Sequence, residues 1–145
     1  MGRLLEVTDL KVSFYTYAGK VHAVRGVSFY LDRGETLAIV GESGCGKTVT
    51  ASSVMKLIPS PPGKIEGGSI IFDGREIIDL SEREMQHIRG KEIGMIFQDP
   101  MTALNPTMTI GRQITEALIK HQKMSPADAK KRAIETLEMV EIPNP

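Results

Sequence analysis

The residues best placed to do chemistry lie together in Gly41-Glu42-Ser43-Gly44-Cys45-Gly46-Lys47-Thr48, which matches G-x-x-x-x-G-K-[ST]. Glycines at 41, 44 and 46 allow backbone torsions and close approaches that a side chain would block. The N–H groups of the loop, through Glu42, Ser43 and Cys45 and on to Val49, can then face a phosphate chain at the positive end of a following helix. Lys47 supplies a cation for β- and γ-phosphates, and the Thr48 hydroxyl is a ligand for Mg²⁺. A chain of this composition yields on the order of 0.01 such matches by accident, so a glycine-rich turn that binds nothing is the poorer reading. Cys45 reads as a small residue directed away from phosphate, with a redox-sensitive thiol as the alternative.

A loop of this kind needs a strand before it and a helix after it. Thr36-Leu37-Ala38-Ile39-Val40 has apolar side chains at successive positions, as in a parallel strand covered on both faces. After Gly46 the period changes, with Ala51, Val54, Met55 and Ile58 at helical spacing until Pro59, Pro61 and Pro62. Strands are expected at residues 4–10 and 20–31. A hairpin is expected through Asp73-Gly74, between Ser69-Ile70-Ile71-Phe72 and Arg75-Glu76-Ile77. Ser81 and Glu84 form a capping box for a short helix to about residue 89. Residues 93–97 read as a second buried strand. The last third is helical: Ile114, Ala117, Leu118 and His121 share one face. Ser125-Pro126 with Asp128 then starts a final helix that turns Ala133, Ile134, Leu137 and Val140 inward.

With 145 residues, 41% hydrophobic and 25% charged, the chain has the balance of one globular domain. Its 18 basic and 18 acidic residues cancel, and nothing suggests a nucleic-acid footprint. A single cysteine excludes an internal disulfide framework and a cysteine zinc site, and fits a reducing compartment. No apolar run approaches the ~20 residues of a membrane-spanning helix, and the first residues lack a signal-peptide core.

About fifty positions past Lys47, Met95-Ile96-Phe97-Gln98-Asp99-Pro100 sets a glutamine directly after the second expected strand. This resembles the Q-loop of ABC-transporter ATPases. The loop residues 41–50, the run Phe97-Gln98-Asp99-Pro100-Met101-Thr102-Ala103-Leu104-Asn105-Pro106-Thr107 and Ala23-Val24-Arg25-Gly26-Val27-Ser28-Phe29 look like the ATP-binding subunits of oligopeptide and dipeptide importers. The similarity extends from about residue 5 to residue 145. It implies an α/β fold with a P-loop NTPase (RecA-like) core (36–63 and 90–100). It further implies an antiparallel β subdomain (1–35 and 64–80) and the start of a helical subdomain (101–145), incomplete at the C-terminus.

The resemblance implies ATP and Mg²⁺ as ligands, with Gln98 ligating the metal and helping place the attacking water. An aromatic ring ahead of the loop stacks on adenine in such ATPases; Tyr17 is the candidate and Tyr15 the alternative. Expected partners are transmembrane permease subunits, touched through residues 98–109, and a second ATP-binding subunit, at the cytoplasmic face of the membrane. Neither L-S-G-G-Q nor an apolar strand ending Asp-Glu occurs. Asp73 reads as a turn residue and Asp99 as a loop cap, while His22, His87 and His121 read as structural or solvated. The chain is therefore expected to be the amino-terminal part of a longer ATPase, unable to turn over ATP alone, with sheet edges left open. The rivals are a standalone P-loop kinase for a small metabolite, an importer of nickel or another small solute, and a non-catalytic nucleotide-binding module.

Overall fold

Two long strands, β1 (Arg3–Thr16) and β2 (Gly19–Asp32), run antiparallel on either side of a two-residue turn, Tyr17-Ala18. The strands expected at 4–10 and 20–31 are thus the two arms of one hairpin, with β1 continuing to Thr16. β3 (Gly63–Phe72) pairs with the other edge of β1, and β4 (Arg75–Glu76) closes a four-stranded sheet in the order β2-β1-β3-β4. The computed structural model describes residues 2–99 and 103–145 and forms two compact units, Met1–Met85 and Gln86–Pro145.

The first unit builds its core from Val7, Leu10, Val12, Val24, Ile70 and Phe72 of the sheet together with Val54, Met55, Ile77 and Met85. The inward residues of β1 do not keep a period of two, since Val7 is followed by Leu10. A bulge absorbs the extra residue: Val7 pairs with Phe29 but Leu10 with Val27. Asp9 takes φ 47 there, and its amide donates to Ser28 Oγ at 2.8 Å. Both neighbouring strands answer with glycine. A Cβ on Gly26 would lie 2.6 Å from Asp9 Oδ1, and one on Gly68 would lie 2.7 Å from the Thr8 and Asp9 carbonyls. The bulge therefore constrains three strands at once.

A second irregularity puts Glu66 between Ile65, opposite Val12, and Gly67, opposite Lys11. From that position its carboxylate reaches across β1 to β2. It accepts from Ser13 Oγ at 2.6 Å and from the Tyr15 hydroxyl at 2.5 Å, and pairs with Lys20 Nζ at 2.8 Å. Ser13 Oγ also lies 3.1 Å from His22 Nδ1. Tyr15 sits opposite Lys20 and Ser13 opposite His22, so these side chains share one face. The Lys20 ammonium, then the Ser13 and Tyr15 hydroxyls, hold the Glu66 carboxyl down at about 2.

The Asp73-Gly74 hairpin forms as expected, both residues having positive φ, at 48 and 75. Beyond it Glu76 accepts from the Ile70 and Ile78 amides at 3.0 and 3.1 Å and from Ser69 Oγ. Burial raises its carboxyl pKa, but the Ser69 hydroxyl and the backbone amides outweigh burial and leave it lowered. The capping box is also present ahead of α2 (Glu82–Ile88): the Ser81 amide donates to Glu84 Oε2 at 2.7 Å and the Glu84 amide to Ser81 Oγ at 3.4 Å.

α1 (Lys47–Val54) stops before the prolines, where Lys56 takes φ 49. Val54 and Met55 are buried as expected, whereas Ala51 faces solvent and Thr50 and Ser53 turn inward instead. Their hydroxyls remain satisfied by carbonyls one turn back, on Gly46 at 3.0 Å and Val49 at 2.7 Å.

The two buried strands of the expected parallel core are corrected. Residues 36–40 are irregular, with Val40 88% exposed, and residues 94–97 are likewise irregular, with Ile96 99% exposed. Ile93 makes only an isolated parallel bridge to Arg89. Apolar composition suits a strand for burial on two faces but cannot form a ladder alone. Neither segment has a strand neighbour among the described residues.

In the second unit, α3 (Ile110–Gln122) begins at Thr109, whose side chain accepts from the Arg112 amide. α4 (Pro126–Met139) begins at Ser125, which accepts from the Asp128 amide at 3.2 Å, with proline in the first turn. Ala129 and Ala133 are buried, their small side chains allowing close helix packing. Val140 is exposed rather than inward because it follows the last turn of α4, while on α3 Ile114 and Leu118 are half-buried and Ala117 is exposed. No helix among the described residues is long and apolar enough to cross a membrane.

Gly68→Ala is expected to destabilise the full-length protein by about 2 kcal/mol or more, because its backbone has φ 101 as well as no room. Gly67→Ala, with nothing within 4 Å, is the control and is expected to change stability by less than about 1 kcal/mol in chemical denaturation. The depressed carboxyl of Glu66 gives a second expectation. Its stabilising effect is complete above pH 4.5 and is lost as pH falls from 4.5 towards 2. Glu66→Gln is expected to lower stability at neutral pH and to flatten that part of the acid-unfolding curve. An unchanged slope between the two proteins would show that Glu66 is not the group titrating.

Candidate nucleotide-binding site

The loop between residues 41 and 46 reaches α1 through a glycine that only glycine can be. Gly46 caps α1 with φ 94, and a Cβ there would lie 2.4 Å from the Ala23 carbonyl of β2. Gly44 is also left-handed, at φ 80. No side chain caps α1 and no acid sits in its first turn, so the N–H groups of Lys47, Thr48 and Val49 stand at an uncompensated positive helix end. Hydrogen bonding within α1 starts at Thr50, whose amide donates to the Gly46 carbonyl at 2.8 Å.

Lys47 folds back into this loop. Its ammonium donates to the Gly41 and Glu42 carbonyls, each at 2.7 Å, and to Cys45 Sγ at 3.6 Å. Three donors on one cation thus meet three acceptors of its own loop. The Cys45 thiol turns towards Lys47 rather than out of the loop, and it occupies the space that a side chain at 41 would need: a Cβ on Gly41 would meet Sγ at 2.7 Å. Ser43 and Thr48 are exposed, and Val49 is half-buried. Beside the loop an open groove of about 490 Å³ is lined by His22, Val24 and Arg25 of β2 with Gly44, Cys45 and Thr50. Arg25 gives that groove a cation.

The two tyrosines differ in what holds them. Tyr17, in the β1–β2 turn, is fully exposed. Tyr15 is tied by its hydroxyl to Glu66 and has Lys20 Nζ 5.5 Å from its ring centre. Gln98 belongs to the second unit and lies exposed in the irregular segment 94–99, with Phe97 half-exposed before it. Pro100, Met101 and Thr102 of the expected permease-contacting stretch fall outside the described residues. Its later part is well held: Asn105 Oδ1 accepts from the Thr107 amide at 2.9 Å, and Gln113 Nε2 donates to the Asn105 and Met108 carbonyls at 2.9 and 3.0 Å. His22 lies in β2 beside Ser13, while His87 and His121 occupy the last turns of α2 and α3.

The residues that the sequence did not single out are Ser13, Lys20 and Glu66. Their signal was the symmetry about the Tyr17-Ala18 turn, which makes Tyr15 and Lys20 cross-strand neighbours, but it is readable only once the turn is placed. A groove of about 790 Å³ between α3 and α4 is lined mostly by apolar side chains, among them Ile119, Ala133, Ile134 and Leu137, with Arg112, Thr115 and Lys130 also on its wall.

The chain is similar to several known proteins. The oligopeptide transport ATP-binding protein OppD of Bacillus subtilis (strain 168) is 66% identical over 143 residues, 99% of this chain and 40% of that protein. The dipeptide transport ATP-binding protein DppD of the same organism is 55% identical over 145 residues, 100% of this chain and 43% of that protein. The chain thus spans about two-fifths of the length of these curated relatives. In fold it is similar to a dimeric post-hydrolysis state of the ATP-binding cassette MJ0796 bound to ADP and Pi. That likeness has a TM-score of 0.81 and 26% identity, over 97% of this chain and 59% of the other. The α/β cassette fold expected from the resemblance is therefore the fold found, and a standalone small-metabolite kinase is set aside. A family model described as "ABC transporter" matches residues 24–144, and the chain belongs to that family.

Proposed function

We propose that this chain is the nucleotide-holding portion of an ATP-binding subunit that powers import of oligopeptides or dipeptides by binding and hydrolysing ATP. The observation that carries the reading is the Lys47 ammonium, bonded to the Gly41 and Glu42 carbonyls at the uncapped start of α1. Those carbonyls keep the cation satisfied without a ligand. The β- and γ-phosphate oxygens of ATP exchange for them and gain the N–H groups of the loop and helix start as well. Gly41, Glu42, Ser43, Gly44, Cys45, Gly46 and Val49 contribute main chain, and Tyr17 offers an unobstructed ring to adenine.

The donors fit Mg²⁺ by type: the exposed Thr48 hydroxyl and the Gln98 amide oxygen are hard oxygen ligands, and phosphate oxygens and water complete such a site. When bound, the ion neutralises charge developing on the transferred phosphoryl group. Gln98 also helps orient the attacking water. Residues 36–63 and 90–100 belong to the P-loop core, residues 1–35 and 64–80 to the antiparallel subdomain, and residues 101–145 to the start of the helical subdomain. Residues 98–109 meet the transmembrane permeases on the cytoplasmic side, and a second ATP-binding subunit completes the site. Closure then follows because ATP binds the closed pair better than the open one.

Lys47→Ala in the full-length subunit is expected to weaken Mg-ATP binding about 30-fold or more by calorimetry and to stop peptide uptake. Retained affinity would remove the basis of the reading. The 145-residue chain by itself is expected to show no magnesium-dependent ATP turnover, because charge stabilisation and water activation need groups beyond a phosphate loop. Turnover that vanishes in Lys47→Ala would overturn that expectation.

A further inference from the structure

We propose that Glu66 is a positioning residue for the base of the nucleotide, acting through Tyr15 and Lys20 on the turn that carries Tyr17. The inference rests on the reading of Tyr17 as the adenine platform and adds the group that holds the platform in place.

The argument starts with the turn. Tyr17 and Ala18 have only the Thr16–Gly19 pair between them and the strands, where Thr16 Oγ1 donates to the Gly19 carbonyl at 2.9 Å. An exposed ring on a two-residue turn has no packing of its own, so its position follows that of the last strand pairs. Tyr15 and Lys20 are the next pair inward, and Glu66 binds both, at 2.5 Å and 2.8 Å. It reaches them from β3, two strands from Lys20, because the irregularity between Gly67 and Ile65 leaves it without a partner of its own in the ladder. Ser13, 1% exposed, anchors the same carboxylate from the buried side at 2.6 Å. The side chains of Tyr15 and Lys20, two and three positions from Tyr17, are thereby tied to the third strand, and on the main chain the Tyr15 amide adds a bond to the Pro62 carbonyl at 2.8 Å. A stacked base needs a ring already held in one orientation, since ordering it on binding subtracts from the affinity gained.

The test separates the base from the phosphates. Mg-ATP and Mg-tripolyphosphate are titrated into full-length wild-type, Glu66→Ala, Tyr15→Phe, Tyr17→Ala and Glu66→Ala/Tyr17→Ala proteins. Tyr15→Phe removes only the hydroxyl and carries the test should Glu66→Ala fail to fold. Tyr17→Ala is expected to weaken ATP at least about fivefold, the loss of one stacked base. Glu66→Ala and Tyr15→Phe are expected to weaken ATP about threefold to tenfold and to leave tripolyphosphate within about twofold of wild type. In the Tyr17→Ala background, Glu66→Ala is expected to have no further effect on ATP. Equal weakening of both ligands, unchanged ATP affinity in Glu66→Ala or Tyr15→Phe, or an undiminished effect in the double variant would overturn the inference and leave Tyr17 as the platform. Unchanged ATP affinity in Tyr17→Ala would overturn the platform reading itself, and this inference with it.

Discussion

The contact on which the site depends is the approach of Gly46 to the Ala23 carbonyl, too close for any side chain. It presses the start of α1 against β2 and forces the left-handed turn that opens the helix. Because that turn carries no side chain, no cap residue takes up the first N–H groups of the helix. The same turn brings Lys47 back over residues 41 and 42, where carbonyl dipoles hold its charge. A cation held by neutral acceptors can exchange them for phosphate oxygens with little loss, which a partnership with a carboxylate would not allow.

The sheet is the other half of this arrangement, and its irregularities matter more than its regular ladder. The Asp9 bulge resets the inward face of β1, and it exists only because β2 and β3 each supply a glycine beside it. The offset at Glu66 frees one side chain from pairing and lets it bind residues of both other strands. An ion pair at a sheet surface adds little when isolated, but here the carboxylate also takes two hydroxyl donors, and its strongly lowered pKa reports their combined effect.

The segments 36–40 and 93–97 show a different principle. Both have the apolar sequence of buried parallel strands, yet Val40 and Ile96 stand in solvent. A helix closes its hydrogen bonds within itself, so α1 forms next to residues 36–40 regardless of them. A parallel strand takes every ladder bond from elsewhere, and a suitable composition cannot replace a missing neighbour.

Local chemistry was legible from the residues alone. The Gly41–Thr48 pattern is legible from residue type and spacing, and the Asp73-Gly74 turn, the Ser81–Glu84 box and the Ser125-Pro126 helix start each close their own bonds within a few positions. The strand boundaries around Tyr17, the bulge at Asp9, the early end of α1 and the gathering of Ser13, Tyr15, Lys20 and His22 around Glu66 depend on cross-strand register. Register is a relation between distant segments: Glu66 lies 53 positions from Ser13 and yet 2.6 Å away. Only the folded sheet decides that pairing, because a shift of one residue along any strand would send these side chains to the opposite face.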